Sequence, residues 1–175
     1  MNGRTQLGNW ALAALAIGVV VHVAAIHALP RFIMARALAR FGETNQVRVG
    51  SRPTAASRGV VRPSPDILYG ACVFDLRSGP LHVTAPVPHT AYWSVSAFDS
   101  ATNNFFVVND EQISGGTADF YLVRPNQTVP DAGHGRLIVT APSRRGLILF
   151  RAVIDDETHL PQLTATLRQA RCDGR

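Results

Sequence analysis

The feature that most constrains this chain is the run "WALAALAIGVVVHVAAIHAL" at residues 10–29. Twenty residues pass without a charged side chain, apart from any protonated histidine. A helix of that length extends about 30 Å, the thickness of a bilayer's hydrocarbon core. Such a run must be covered by lipid or by other protein. Trp10 suits a membrane interface, and Pro30 closes the apolar run. A cleaved signal peptide competes, because Arg4 supplies a short basic start. The apolar core is long for that role, however. The nearest small-x-small site, Ala35-Arg36-Ala37, lies well beyond it. We expect a retained, single-pass transmembrane helix.

Two histidines interrupt this run. Ala11, Ala14, Gly18, His22 and Ala25 follow one another at helical spacings of three or four and so share a face. Ala14 and Gly18 form a small-xxx-small pair that lets a second helix approach closely. His22 continues the stripe, and a polar group at that depth should meet protein or a cofactor rather than lipid. Helix packing against an integral membrane subunit is the main reading. The Gly18-Val-Val-Val-His22 spacing also matches the one light-harvesting polypeptides use to ligate a bacteriochlorophyll, so pigment or haem ligation by His22 is a minor alternative. His27 lies close enough to the interface to reach water.

Charge is unevenly placed on a chain of 175 residues with a formal net charge of +5. Residues 1–65 hold eight arginines and one acid, Glu43, for a net +7. Residues 66–175 hold nine arginines and eleven acids, for a net −2. The folded part is therefore near neutral and carries no basic nucleic-acid face. Arg31, Arg36 and Arg40 follow the span in "PRFIMARALARFG", interleaved with apolar residues. They suit anionic membrane lipid or an acidic partner. This stretch reads as a surface helix or as a bent continuation of the span, with Gly42 as a stop. From Glu43 to Asp66 the sequence reads as an extended linker. We divide the chain into tail and helix (1–30), basic juxtamembrane segment and linker (31–63), and a folded domain (64–175).

From Tyr69 the pattern changes to short β-branched and aromatic runs: "YGACVFDL", "LHVTAP", "YWSVSAFD", "NFFVVND", "DFYLVRP", "RLIVTAP" and "GLILFRAVI". Turn residues separate them, which predicts an all-β antiparallel sandwich, jelly-roll-like. The tail switches to helical spacing at Leu160, Leu163 and Leu167, predicting a C-terminal helix with Asp155 and Asp156 at its favourable end. Cys72 and Cys172 lie in no metal-ligand pattern. They are either two separate buried thiols or a disulfide tying the C-terminus to the domain.

The stretches "SPDILYGACVFDLRSGP" and "YWSVSAFDSATNNFFVV", with the later Tyr-Leu-Val-x-Pro and "RAVIDDETHLPQLTATLRQ", resemble the bacterial family called domain of unknown function 1254. The resemblance covers about residues 64–171 and implies a β-sandwich, often followed in that family by a second related domain. It implies no settled activity.

No catalytic or metal motif stands out. His82, His89, His134 and His159 are scattered, no GxSxG elbow occurs, and Gly115-Gly116 and Gly133-His134-Gly135 read as turns. Tyr92, Trp93, Phe105, Phe106, Phe120 and Tyr121 read as core before they read as an aromatic cleft. Asp75 and Asp99 read as acceptors for turn amides. The expectation is a non-enzymatic accessory or assembly subunit of a bacterial inner-membrane complex, with its domain on the periplasmic side. The arginines after the span argue for the opposite orientation. The alternative is a membrane-tethered periplasmic ligand-binding or hydrolytic sandwich.

Overall fold

Residues 3–59, 62–88, 91–129 and 136–174 are described by the computed structural model. His89, His134 and the Gly133–Gly135 turn lie outside them. Helix α1 spans Gly3–Phe41 without interruption. Pro30 closes the apolar run but not the helix, which continues for three further turns. A helical proline removes one backbone donor and crowds the carbonyls of the preceding turn. There the Arg31 guanidinium donates to the His27 carbonyl at 2.6 Å, so a side chain helps to satisfy the disturbed turn. The helix ends at Gly42, whose φ of 76° is a left-handed conformation and whose N–H donates to the Leu38 carbonyl at 3.2 Å.

The stretch expected to be an extended linker is instead part of the fold. β1 (Val47–Val49) pairs antiparallel with β2 (Ile67–Asp75), Val47 opposite Cys72. Asn45 sets this entry. At φ 58° it takes the left-handed region that asparagine tolerates. Its N–H donates to the Val73 carbonyl at 2.7 Å, its Oδ1 accepts from the Asp75 N–H at 2.8 Å, and its Nδ2 donates to the Asp75 carbonyl at 3.1 Å. One side chain thus stands in for a strand residue. Further on, Pro53 is buried, and Arg52 donates to the Pro65 carbonyl and pairs with Glu157.

The remaining strands are β3 (Leu81–Pro86), β4 (Trp93–Phe98), β5 (Asn104–Asn109), β6 (Thr117–Val123), β7 (Leu137–Thr140), β8 (Arg145–Val153) and β9 (Arg171–Gly174). They form a five-stranded sheet in the order β1-β2-β8-β4-β5 and a four-stranded sheet in the order β7-β6-β3-β9. Every strand read from the sequence is present. One pairing corrects the wholly antiparallel expectation: β7 runs parallel to β6. The long connection between Val123 and Leu137 lets the chain return to its starting end, as a parallel pair requires.

One core joins the sheets. Phe74, Val95, Ile148 and Phe150 from the first meet Leu81, Val83, Phe120 and Leu122 from the second, all at 1% exposure or less. Gly146 opens β8 because a Cβ there would collide with the Phe98 carbonyl and the Phe74 ring. Helix α2 (Leu160–Arg168) buries Leu163 and Leu167 against the same core. A 3-10 turn leads into it, and Asp156 caps that turn by accepting from the Thr158 N–H at 2.8 Å. Asp75 and Asp99 hold turns: Asp75 accepts from the Arg77 N–H, and Asp99 accepts from the N–H groups of Ala101 and Asn103.

Cys72 on β2 and Cys172 on β9 form a disulfide between the two sheets, with Cα atoms 6.6 Å apart. It closes a loop of 100 residues, so in the chain-entropy account it stabilises the fold by about 4.7 kcal/mol. Reduction of the full chain should therefore lower the thermal midpoint by roughly 10 °C or more. A midpoint equal with and without reductant would show that the bridge does not restrain the unfolded chain.

The hydrogen bonds that Asp156 accepts from the Thr158 backbone and hydroxyl hold its carboxyl below the ordinary 3.8. The His159 ring does the same for Asp155. A carboxyl depressed in the fold stabilises it above its unfolded pKa, and loses that effect as pH falls through the folded value. Protection of the Thr158 amide, measured against its intrinsic exchange rate, should thus hold from neutrality to about pH 4 and fall below it. Exchange that stays equally slow in Asp156→Ala would disprove the cap.

Candidate functional site

The candidate site is α1 and the place where it meets the five-stranded sheet. Met34, Ala37 and Leu38 are buried there, at 5%, 5% and 9% exposure, against Ala71, Val73 and Leu147, with Phe41, Phe98 and Leu149 at the margin. These strand residues lie on the outer face of the sheet, away from the inter-sheet core. The last two turns of α1 therefore cover a second apolar layer. The helix runs unbroken into the domain, and a few buried side chains on each partner set its angle.

Before that junction the helix is bare. Between Leu7 and Ile33, thirteen large apolar side chains are exposed, among them Trp10, Leu15, Val20, Ile26 and Phe32. Ala11, Ala14, Gly18, His22 and Ala25 are all exposed as well, and a Cβ at Gly18 would touch nothing. Counted at 100° per residue, this small-residue stripe points about 150° away from Met34, Ala37 and Leu38. The face that packs on the sheet and the face marked by His22 are nearly opposite. His27 falls on the sheet-facing side, above the junction.

The three basic positions after the span are separated by the fold. Arg31 lines a cleft of about 430 Å3 beside Arg144 and Arg145. Arg36 lies over the Phe32 ring at 5.5 Å, on the exposed side of α1. Arg40 lines a second cleft of about 480 Å3, together with Arg48, Arg62, Phe41, Leu147 and Leu149. Arg48 also pairs with Glu43 at 2.9 Å.

The other histidines do not converge. Among the described residues, no three histidine, cysteine or acidic side chains are grouped as metal ligands. His159 pairs with Asp155 at 3.2 Å beside α2. His82 and Asp119 form a cluster that the sequence did not suggest. His82 Nε2 is 2.7 Å from Asp119 Oδ1, Arg136 Nε donates to Asp119 Oδ2 at 3.1 Å, and the His82 ring stacks on Tyr121. The register pairing of Thr84 with Asp119 brings β3 and β6 together here, a long-range pairing that alternation alone does not specify. Trp93 and Phe120 are core residues, whereas Tyr92 is half exposed. They do not form a common cleft.

A family model described as "Protein of unknown function (DUF1254)" matches residues 44–174. The match takes in all nine strands and α2, and leaves α1 outside. No curated protein matches the chain in sequence. A crystal structure from Vibrio parahaemolyticus is 12% identical, with a TM-score of 0.64, over 85% of this chain and 34% of that one. A second, from Burkholderia cenocepacia and described as uncharacterised, is 19% identical, with a TM-score of 0.50, over 70% of this chain and 35% of that one. At these identities the likeness is one of fold. The chain spans about a third of the length of either protein.

The junction generates a prediction. Truncating Met34 or Leu38 to alanine removes buried volume worth about 2–5 kcal/mol per site. In the Met34→Ala/Leu38→Ala double variant, backbone amides at 35–41 should lose protection from hydrogen exchange, while β3 and β6 keep theirs. Unchanged protection at 35–41 would mean that the helix is held by something other than this contact.

Proposed function

This chain belongs to the DUF1254 family, and from that premise we propose that it is a non-enzymatic accessory or assembly subunit of a bacterial membrane protein complex. One helix anchors it in the inner membrane, with the two-sheet domain, a jelly-roll-like sandwich, on the periplasmic side. The observation that carries this reading is the bare surface from Leu7 to Ile33. Burying each large apolar side chain is worth about 1.5–3 kcal/mol, so thirteen of them sum to roughly 20 kcal/mol or more. That exceeds the net stability of a typical domain, about 5–15 kcal/mol, so this surface needs a cover.

Lipid covers most of it in this reading, and a partner helix covers the Ala14–Gly18–His22 side. The packed junction favours a subunit over a loose tether. A tethered domain needs only a flexible connection, whereas α1 enters the domain as part of its second apolar layer. The same contact supports retention of the helix. Cleavage at Ala35-Arg36-Ala37 would cut through the buried turn that holds Met34 and Leu38. The Cys72–Cys172 disulfide supports the periplasmic side, because such bridges persist outside the reducing cytoplasm.

The test is purification of the tagged full chain in mild detergent. An integral membrane protein should accompany it in fixed stoichiometry. Gly18→Leu, which fills the close-approach position, should release that partner and leave the thermal midpoint of the domain unchanged. A chain that purifies alone, wild type and variant alike, would reject the subunit reading in favour of a tethered binder.

A further inference from the structure

The cleft at the foot of the junction unites residues more than a hundred positions apart. One wall is α1, with Arg31, Met34 and Leu38; the other includes the Ser143-Arg144-Arg145 turn that opens β8. That turn is braced: the Ser143 hydroxyl accepts from the Ser100 N–H at 2.9 Å and donates to the Arg145 carbonyl at 2.7 Å. Three guanidinium groups line the cleft, and two of them share the Asp75 carboxylate. Asp75 lies 3.7 Å from Arg144 Nε and 3.5 Å from Arg145 Nε, both beyond good hydrogen-bond length. Arg145 Nε is buried and has no hydrogen-bond acceptor. Arg31 pairs with no carboxylate among the described residues; its guanidinium donates only to the His27 carbonyl. The cleft is left with an excess of about two positive charges, three guanidinium groups against the one Asp75 carboxylate.

Its depth follows from the helix. Arg31 stands two residues past Leu29, about 3 Å beyond the apolar run, and the headgroup layer is roughly 5–8 Å thick on each side of the hydrocarbon. Sharing a cleft with Arg31 places Arg144 and Arg145 in the same layer, with the apolar sides of Met34 and Leu38 next to them. Planar guanidinium forks match phosphate oxygens, and they bind most strongly where water is scarce.

We propose that this cleft binds the phosphate of an anionic phospholipid from the surrounding leaflet, clamped by Arg31 and Arg144, with the Arg145 guanidinium adding positive charge beside them. The proposal rests on α1 spanning the membrane. It makes the domain's pose on the bilayer a specific contact rather than a consequence of the anchor alone.

The full chain in mild detergent would be titrated with dihexanoyl phosphatidylglycerol, dihexanoyl phosphatidylcholine and inorganic phosphate, with occupancy read by native mass spectrometry. Phosphatidylglycerol should bind about tenfold or more tightly than phosphatidylcholine. Arg31→Gln and Arg144→Gln, tested separately, should each weaken it about tenfold, and Arg168→Gln on α2 should not. Equal affinity for the two lipids, or variants that bind like the wild type, would overturn the proposal. Inorganic phosphate competing at the lipid's own concentration would assign the site to a free anion and overturn the lipid source. Loss of the co-purifying subunit in Arg144→Gln, without any lipid preference, would make the cleft a protein contact. Alkaline carbonate extraction tells the two levels apart. Release of the chain from membranes removes the spanning reading and this proposal with it, whereas a retained chain without lipid preference removes the proposal alone.

Discussion

Met34, Ala37 and Leu38 press against Ala71, Val73 and Leu147, and much of the molecule's organisation depends on that contact. The five-stranded sheet has two apolar faces where β2 and β8 lie side by side. The inner one is covered by the four-stranded sheet, and the outer one by the last turns of α1. Without the helix, this outer patch would face water. The contact also carries direction: because α1 has no break at Pro30, the axis of the apolar run is set relative to the strands. A helix that only tethered the domain would leave that angle open.

Two nearly opposite faces of α1 differ in what they meet. The sheet takes the side that ends in Met34 and Leu38, whereas the side bearing Ala14, Gly18 and His22 is exposed, and it is this side that the proposed partner helix would cover. The family match takes in the two-sheet domain and stops short of α1. The disulfide adds a second restraint on the same domain, joining β2, the strand under the helix, to β9 at the edge of the other sheet.

Much of this was legible along the chain. Seven strands follow from alternation and turn residues, and α2 from the spacing of Leu160, Leu163 and Leu167. β1 and β9 did not stand out, because three or four residues rich in arginine and flanked by glycine show no period. The stretch after Gly42 reads as linker for the same reason. It is ordered by Asn45 and Arg52, whose partners Asp75 and Glu157 lie far away in sequence. Pro30 reads as an end because its local cost is plain, whereas the packing of the next two turns, which outweighs that cost, is not local. The clefts were not legible at all: nothing in the sequence near Arg31 mentions Arg144.

The sequence by itself determined the uncharged twenty-residue run, its small-residue and histidine stripe, the charge imbalance and the β-rich domain, because each is a property of neighbours along the chain. Only the tertiary structure decided that the helix is continuous with the domain, that Cys72 meets Cys172 across the sheets, and which arginines share a cleft. Those are contacts between distant segments. They arise where buried surface and hydrogen bonds repay the entropy of bringing the segments together, and no local pattern records that balance.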